Sequence, residues 1–178
     1  AVPLTARGAG TGLSGACIPL VGGVVVSFER MASLVEIDVE AHVAVVQPGL
    51  TLAELDAETP KHGLVYPVFP GTNAASLGGN VATNAGGMRA VKYGVTRHHV
   101  LGLEAVIGTG EVIRTGGRFV KNTTGYDLTQ LIVGSEGTLG LVTEATLKLH
   151  PRLRHTASIL APFAAVDDVT AVIPAVVA

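Results

Sequence analysis

Apolar residues along this chain fall in short, largely β-branched runs separated by glycine and proline, the pattern of strands bounded by turns. Val24 to Phe28 follows the Gly22–Gly23 pair and predicts a strand, and Leu34 to Asp38 and Val43 to Gln47 predict two more. Pro48 and Gly49 then break the chain. Thr51 and Glu54 have capping-box spacing, in which the hydroxyl takes a free amide and the carboxylate reaches back. They predict a helix to about Thr59, ended by Pro60 and Gly63, with Leu64 to Tyr66 short and extended. Leu101 to Ile107 and Glu111 to Thr115 flank Gly108, Thr109 and Gly110, a hairpin signal. Asp127 and Gln130 predict the cap of a short helix running through Ile132. Leu141 to Leu149 predicts a long strand and Thr156 to Pro162 a last one. Val166 to Ala178 reads as a helix whose first turn carries Asp167 and Asp168, where carboxylates suit free amides. Strands and helices mix without strict alternation, so the fold class is α+β rather than a doubly wound sheet.

Residues 70 to 94 break this rhythm. From Pro70 to Gly87 there is little periodicity and almost no charge, and the stretch reads as one long functional loop whose small side chains leave backbone amides open to a ligand. A second glycine-rich turn follows at Ser135 to Gly140. Both ends read as cut. Ala1 to Leu4 resembles a strand already under way, and the terminal helix has no stop signal.

Composition narrows the function. Hydrophobic residues make up 48% of 178 and charged residues 15%, enough for one domain or two small packed ones with a real core. A net charge of -2 gives no basic patch of the kind nucleic acid demands. Cys17 is the lone cysteine, which excludes an internal disulfide and a cysteine-based metal site, and it reads as a small buried hydrophobe. No apolar run is long enough to span a bilayer. The 23 glycines exceed average usage, and many stand where a backbone approaches something closely.

The sharpest local signal is Arg7-Gly8-Ala9-Gly10-Thr11-Gly12-Leu13-Ser14-Gly15. Converging glycine amides suit a pyrophosphate, which needs several donors at once. Gly10 to Gly15 matches the dinucleotide fingerprint G-x-G-x-x-G, with Glu36 about 20 residues on. That fingerprint must open a helix, so that the helix N-terminus faces the phosphates. Here Pro19, Gly22 and Gly23 and then a β-branched strand follow, leaving no room for one. No glycine is followed by lysine, so a Walker loop is excluded too.

Three ordered motifs carry a resemblance: RGAGTGLSG at 7–15, SLGGNVATNAGG at 76–87 with KYG at 92–94, and GSEGTLGLVTEATLKL at 134–149. Together they resemble the FAD-binding domain of the vanillyl-alcohol oxidase and p-cresol methylhydroxylase superfamily. The nearest likeness is to its 2-hydroxy-acid branch of glycolate oxidase D subunits, D-lactate dehydrogenases and D-2-hydroxyglutarate dehydrogenases. The resemblance covers about residues 1 to 165. It implies a small parallel subdomain and a larger, mostly antiparallel one with FAD between them. It also implies an FAD-binding domain over 1–152, with 153–178 opening a substrate cap that carries the catalytic histidines further on.

The cofactor residues carried over by the motifs are Arg7, Gly8, Ala9, Gly10, Thr11, Gly12, Gly15 and Ala16 for the pyrophosphate. Ser76, Leu77, Gly78, Gly79, Thr83 and Asn84 lie along the ribityl chain and isoalloxazine; Pro70, Gly71 and Thr72 precede them, and Gly94 and Lys92 follow, Lys92 as a contact to a phosphate or flavin oxygen or as a plain surface lysine. Glu136, Gly140 and Val142 close the site. Family members often carry an acid and serines where this chain has Phe69, Pro70, Gly71 and Thr72, so one contact differs. Covalent-flavin relatives carry a histidine in the first loop, where Thr11 or Gly12 stands here, which implies non-covalent FAD. The implied activity is FAD-dependent oxidation of a small 2-hydroxy acid, of glycolate, D-lactate or 2-hydroxyglutarate type, with an electron acceptor or partner subunit. No catalytic residue and no metal ligand is expected within the fragment. The implied location is cytoplasmic, with any membrane association through a partner. The alternatives are a non-catalytic FAD or nucleotide-binding module and a Rossmann-type nicotinamide dehydrogenase, the latter disfavoured by the missing helix.

Among the other residues, His98 and His99 are read as strand neighbours facing opposite sides, a solvated or hydrogen-bonded pair rather than a metal site. His42, His62, His150 and His155 lack ligand spacing. Tyr126 is read as a ring-stacking or core residue.

Overall fold

A computed structural model of the chain describes residues 2–177. Two sheets flank the first glycine loop. β1 (Leu4–Arg7) pairs in parallel with β2 (Val24–Ser27), forming a two-stranded sheet whose crossover is the loop itself, without a helix. The larger sheet is antiparallel, in the order β3 (Leu34–Asp38), β4 (Val43–Val46), β8 (Gly140–Lys148), β6 (Val100–Ile107), β7 (Val112–Gly116). Short strands β5 (Leu64–Val65) and β9 (His150–Pro151) pair beside it. A small parallel part and a larger antiparallel part are what the family resemblance implied.

Local chemistry explains these elements. β4 is buried at all four positions, as its unbroken Val-Ala-Val-Val run requires of a strand covered on both faces. β7, at the sheet edge, alternates exposed and half-buried residues. α1 (Leu52–Glu58) begins with the full capping box: Thr51 Oγ1 accepts the Glu54 amide, and the Glu54 carboxylate accepts the Thr51 amide at 2.8 Å. A 3₁₀ turn over Thr59–His62 continues it, with Pro60 inside, and Gly63 ends it in the left-handed region at φ 68°. α4 (Leu128–Ile132) is capped by Asp127, whose Oδ1 accepts the Gln130 amide at 3.0 Å. Leu52, Leu55, Leu77, Val81, Ala105, Ala145 and Leu147 build a core between the sheet and the helices laid on it.

Several expectations are corrected. The stretch read as one loop holds two helices, α2 (Leu77–Thr83) and α3 (Ala90–Tyr93). Gly78 and Gly79 hid α2, because glycine disfavours helix interiors. It forms here because Ser76 caps it and Leu77 and Val81 bury their side chains. Thr156 to Pro162 is not a strand: no partner strand pairs with it among the described residues, and its residues are exposed. His98 and His99 do not alternate along a strand. His98 ends a 3₁₀ turn (Thr96–His98) and is exposed, whereas His99 follows it and is buried. Cys17 is half-buried at the rim of a cleft, and Tyr126 is 97% exposed rather than core. α5 (Val166–Val177) forms where the sequence placed a helix, with Asp167 and Asp168 in its first turn; Ala178 lies outside the described residues. No helix among the described residues is long and apolar enough to cross a membrane.

Candidate functional site

The first glycine loop leaves β1 at Arg7, whose carbonyl accepts the Phe28 amide at 3.1 Å. Its next residues fit only as glycine or with an open flank. A Cβ on Gly8 would fall on Ser76 Oγ, so the first loop and the start of α2 touch there. Gly10 has φ +71°, a left-handed conformation that side chains with a Cβ adopt at a cost. A Cβ on Gly10 or Gly12 would meet nothing within 4 Å, so this stretch borders open space. Among the described residues, the amides of Gly10, Thr11 and Gly12 donate to nothing.

Backbone hydrogen bonds assemble the remaining walls. Ser76 Oγ accepts the amides of Ala9 at 3.2 Å and of Gly79 at 3.3 Å. α2 is seated on the turn after β4, where the Leu77 amide donates to the Leu50 carbonyl and the Gly78 amide to the Pro48 carbonyl, both at 2.8 Å. A Cβ on Gly78 would strike Pro48, so that approach requires glycine. The turn before β8 is tied to α2 in the same way, Glu136 N to Ala82 O at 2.8 Å and Gly134 N to Val81 O at 2.9 Å. Glu136 itself lies at φ +53° and Gly137 at φ +80°.

These three segments enclose a cleft of about 480 Å³, within the range of roughly 300–1,000 Å³ typical of ligand sites. Its lining includes, of the residues singled out by sequence, Gly8, Ala9, Gly10, Thr11, Gly12, Ala16, Pro70, Thr72, Ser76, Gly78, Gly79, Thr83, Glu136, Gly140 and Val142. Seven others do not line it. Arg7 pairs with Glu29 at 2.6 Å on an exposed surface. Gly15 and Gly71 hold positive-φ turns outside the lining. Leu77 is buried in the core. Asn84 accepts the Arg97 amide through Oδ1 at 2.9 Å, Lys92 lies over the Tyr93 ring, and Gly94 packs against His98.

The lining also holds residues the sequence did not flag, among them Phe28, Cys17, Asn80 and Leu141. Asn80 becomes visible once α2 is drawn as a helix, since it lies one turn after Ser76. Phe28 carried no signal beyond strand pattern, and Leu141 stands within the 134–149 motif without having been singled out. Among the described lining residues the only charged one is Glu136; no lysine or arginine is present. An anion here is met by amides and hydroxyls, the arrangement that converging backbone N–H groups provide. Open amides, a glycine seam that a Cβ would close and mixed apolar walls fit an extended dinucleotide.

Outside the cleft lining, four rings pack together. Tyr66 and His99 lie 5.8 Å apart between centroids, His99 and His150 5.2 Å, and Tyr93 and His150 5.7 Å, all edge-on. His99 Nε2 lies 2.9 Å from the Tyr93 carbonyl, which assigns the proton to that nitrogen. Burial pushes His99 down to about 4; the Tyr93 bond works the other way, and the fields of His150, His98 and Lys148 add to the lowering. His150 is lowered as well, by burial first and then by Lys148 and His42. Among the described residues no group of three or more His, Cys, Asp or Glu could hold a metal ion.

A family model described as an FAD binding domain matches residues 1–116. Over 177 residues the chain is 64% identical to an uncharacterized FAD-linked oxidoreductase of Mycobacterium tuberculosis (strain ATCC 25618 / H37Rv), covering 99% of this chain and 39% of that protein. It is 47% identical over 167 residues to a D-lactate dehydrogenase of Archaeoglobus fulgidus, covering 94% and 38% respectively. It is 46% identical over 167 residues to the glycolate oxidase subunit GlcD of Bacillus subtilis (strain 168), covering 93% and 36%. Among solved structures, an alkyldihydroxyacetonephosphate synthase superposes with a TM-score of 0.72 at 28% identity, covering 84% of this chain and 29% of that one. The chain thus spans about two-fifths of the length of the curated relatives it matches.

Proposed function

Because this chain belongs to the FAD binding domain family, we propose that it is the cofactor-holding portion of a flavin-dependent oxidoreductase acting on a small 2-hydroxy acid. The observation that carries the reading is the seam between Gly8 and Ser76, where two glycine-rich segments meet and leave the amides of Gly10, Thr11 and Gly12 open. Those amides take the pyrophosphate of FAD, with the Thr11 hydroxyl beside them. Gly78, Gly79 and Thr83 line the ribityl and isoalloxazine side, and Pro70 and Thr72 flank them. Glu136, Gly140 and Val142 form the opposite wall. Bound in this cleft, FAD supplies two-electron oxidation chemistry. The apolar wall of Phe28, Ile132, Leu141 and Val142 excludes water and strengthens each polar contact inside.

The relatives named D-lactate dehydrogenase and glycolate oxidase support a 2-hydroxy-acid substrate. The boundary between cofactor and substrate portions is placed near residue 152. The groups that bind the acid's carboxylate and take the proton then belong to the remainder of the longer protein. FAD is held without a covalent bond, since the first loop lacks histidine.

The test uses the full-length protein. Purified enzyme is expected to contain FAD, and its flavin absorbance is expected to bleach anaerobically with one of glycolate, D-lactate or D-2-hydroxyglutarate, recovering with an artificial acceptor. Bound flavin that none of the three bleaches sinks the substrate class. Failure to bind FAD sinks the whole reading.

A further inference from the structure

Asn80 is a polar side chain on the buried face of α2, beside Leu77 and Val81. It is 4% exposed. Neither end of its carboxamide makes a hydrogen bond among the described residues; the end assigned as Nδ2 is sealed from solvent, and since a half-turn of the amide exchanges nitrogen and oxygen, the donor can occupy the outer end. Native proteins leave few such groups, and each one calls for an explanation. An Asn in a helix interior also has poor helix propensity, so the local structure gains nothing from it. A leucine at this position would match its neighbours in chemistry and leave no polar group unsatisfied.

What Asn80 has instead is a place in the cleft wall. It follows Ser76 and Gly79, the residues that meet the first glycine loop. Its main chain is fully used: its amide donates to the Ser76 carbonyl at 3.0 Å, and its carbonyl accepts the Ala85 amide at 2.9 Å. Only the side chain is left over, on a residue that lines the cleft.

We propose that Asn80 is a cofactor-binding residue: its carboxamide, unpaired in the apoprotein, hydrogen-bonds an acceptor oxygen of FAD. The proposal rests on the FAD reading above. It makes Asn80 a residue that costs the empty protein stability and returns it on binding. The two halves of FAD both offer such oxygens, the flavin carbonyls and ribityl hydroxyls on one side and the pyrophosphate on the other.

Full-length Asn80→Leu and Asn80→Asp are compared with the parent protein. Three quantities are read: the Kd for FAD by flavin fluorescence, the melting temperature of the apoprotein, and the Kd values for FMN and for ADP. Asn80→Leu is expected to raise the FAD Kd at least about tenfold, which corresponds to about 1.4 kcal/mol, while the apoprotein melts at or above the parent temperature. Asn80→Asp keeps the shape but removes the donor, and is expected to weaken FAD at least as much. Loss confined to FMN puts the acceptor on the flavin half, and loss confined to ADP puts it on the pyrophosphate half; either supports the proposal. FAD affinity within twofold of the parent in both variants overturns it. So does an apoprotein melting temperature lowered in both, since that marks Asn80 as a structural group satisfied without cofactor. If Asn80→Leu does not fold, Asn80→Asp decides: unchanged FAD affinity overturns, and weakened affinity with an unchanged apoprotein supports. A parent protein that binds no FAD defeats the preceding reading itself, an outcome separate from these.

Discussion

Ser76 Oγ accepts the backbone amide of Ala9 at 3.2 Å, tying together two glycine-rich segments 67 residues apart. The same oxygen caps α2 by accepting the Gly79 amide. A hydroxyl has two acceptor lone pairs, so one side chain starts a helix and fixes the distance between two walls of the cleft.

Ser76→Ala should therefore act on fold and ligand together. Loss of an N-cap costs about 0.5–2 kcal/mol, and Ser76 is 3% exposed, so water replaces it poorly. The full-length variant is expected to lose about 1–2 kcal/mol in urea unfolding and several-fold in FAD affinity. Ser76→Thr, which keeps the oxygen, tests the cap separately. Parent-like stability and affinity in Ser76→Ala would show that the seam holds without this bond.

Much of this arrangement was legible in the sequence because it is local. The Thr51 capping box, the Asp127 cap and the hairpin around Gly108 to Gly110 each depend on residues a few positions apart, and each forms as read. Rejection of a helix after Gly15 rested on Pro19 and the glycines beyond it, and none forms there. What was not legible depends on distant partners. α2 looked like a loop because Gly78 is chosen for its approach to Pro48, not for propensity. Asn80 looked unremarkable because its significance is the absence of a partner. Arg7 and Lys92 sit beside motif glycines, yet their side chains go to Glu29 and to the Tyr93 ring, which no spacing rule predicts.

A cofactor held by amides and hydroxyls alone comes away when the fold is destroyed. The first loop has no histidine, but Cys17 stands at the cleft and is a nucleophile in principle. Trichloroacetic acid precipitation of the full-length enzyme is expected to leave all yellow colour in the supernatant. Flavin retained in the pellet of the parent but released from a Cys17→Ser variant would establish a thioether instead.

Acid should loosen the ring cluster. His99 is held neutral by burial, with its folded pKa lowered to about 4 from 6.5, and His150 is lowered as well. The unfolded chain binds the proton first as pH falls, so the stability tied to the neutral imidazole is complete above about pH 6.5. It is lost as pH drops towards about 4. For His99 alone the shift corresponds to at most roughly 3 kcal/mol, at 1.36 kcal/mol per unit. Urea midpoints of the full-length apoprotein are expected to fall between pH 7 and pH 5, and to fall less in His99→Gln. An identical decline in that variant would assign the acid sensitivity to other groups. The segment released first should be 84–98, because Tyr93 is held by His99 and the Thr96 hydroxyl holds the Ala85 carbonyl at 2.7 Å.

The first loop offers the most direct test of how the phosphates are held. Gly10 sits at φ +71° with open space where a Cβ would point. The Cβ of Gly10→Val therefore meets no protein atom, and the expected damage comes from two other sources. A β-branched residue in the left-handed region is strained by about 1–3 kcal/mol, so the loop shifts towards a conformation in which its amides diverge. The added side chain also enters the open space bordering the loop, and each charge-assisted bond to a phosphate lost there is worth about 1.5–3 kcal/mol. FAD affinity is expected to fall at least about tenfold, at 1.4 kcal/mol per factor of ten, when apoenzyme is titrated and flavin fluorescence followed. Gly12→Ala is the control. Gly12 also borders open space but has no positive φ, so alanine there adds bulk without strain. A loss in both variants points to steric exclusion of the phosphates, and a loss in Gly10→Val alone points to the loop conformation. If both bind FAD as tightly as the parent, the pyrophosphate lies elsewhere in the cleft and the first loop serves only as the crossover between β1 and β2.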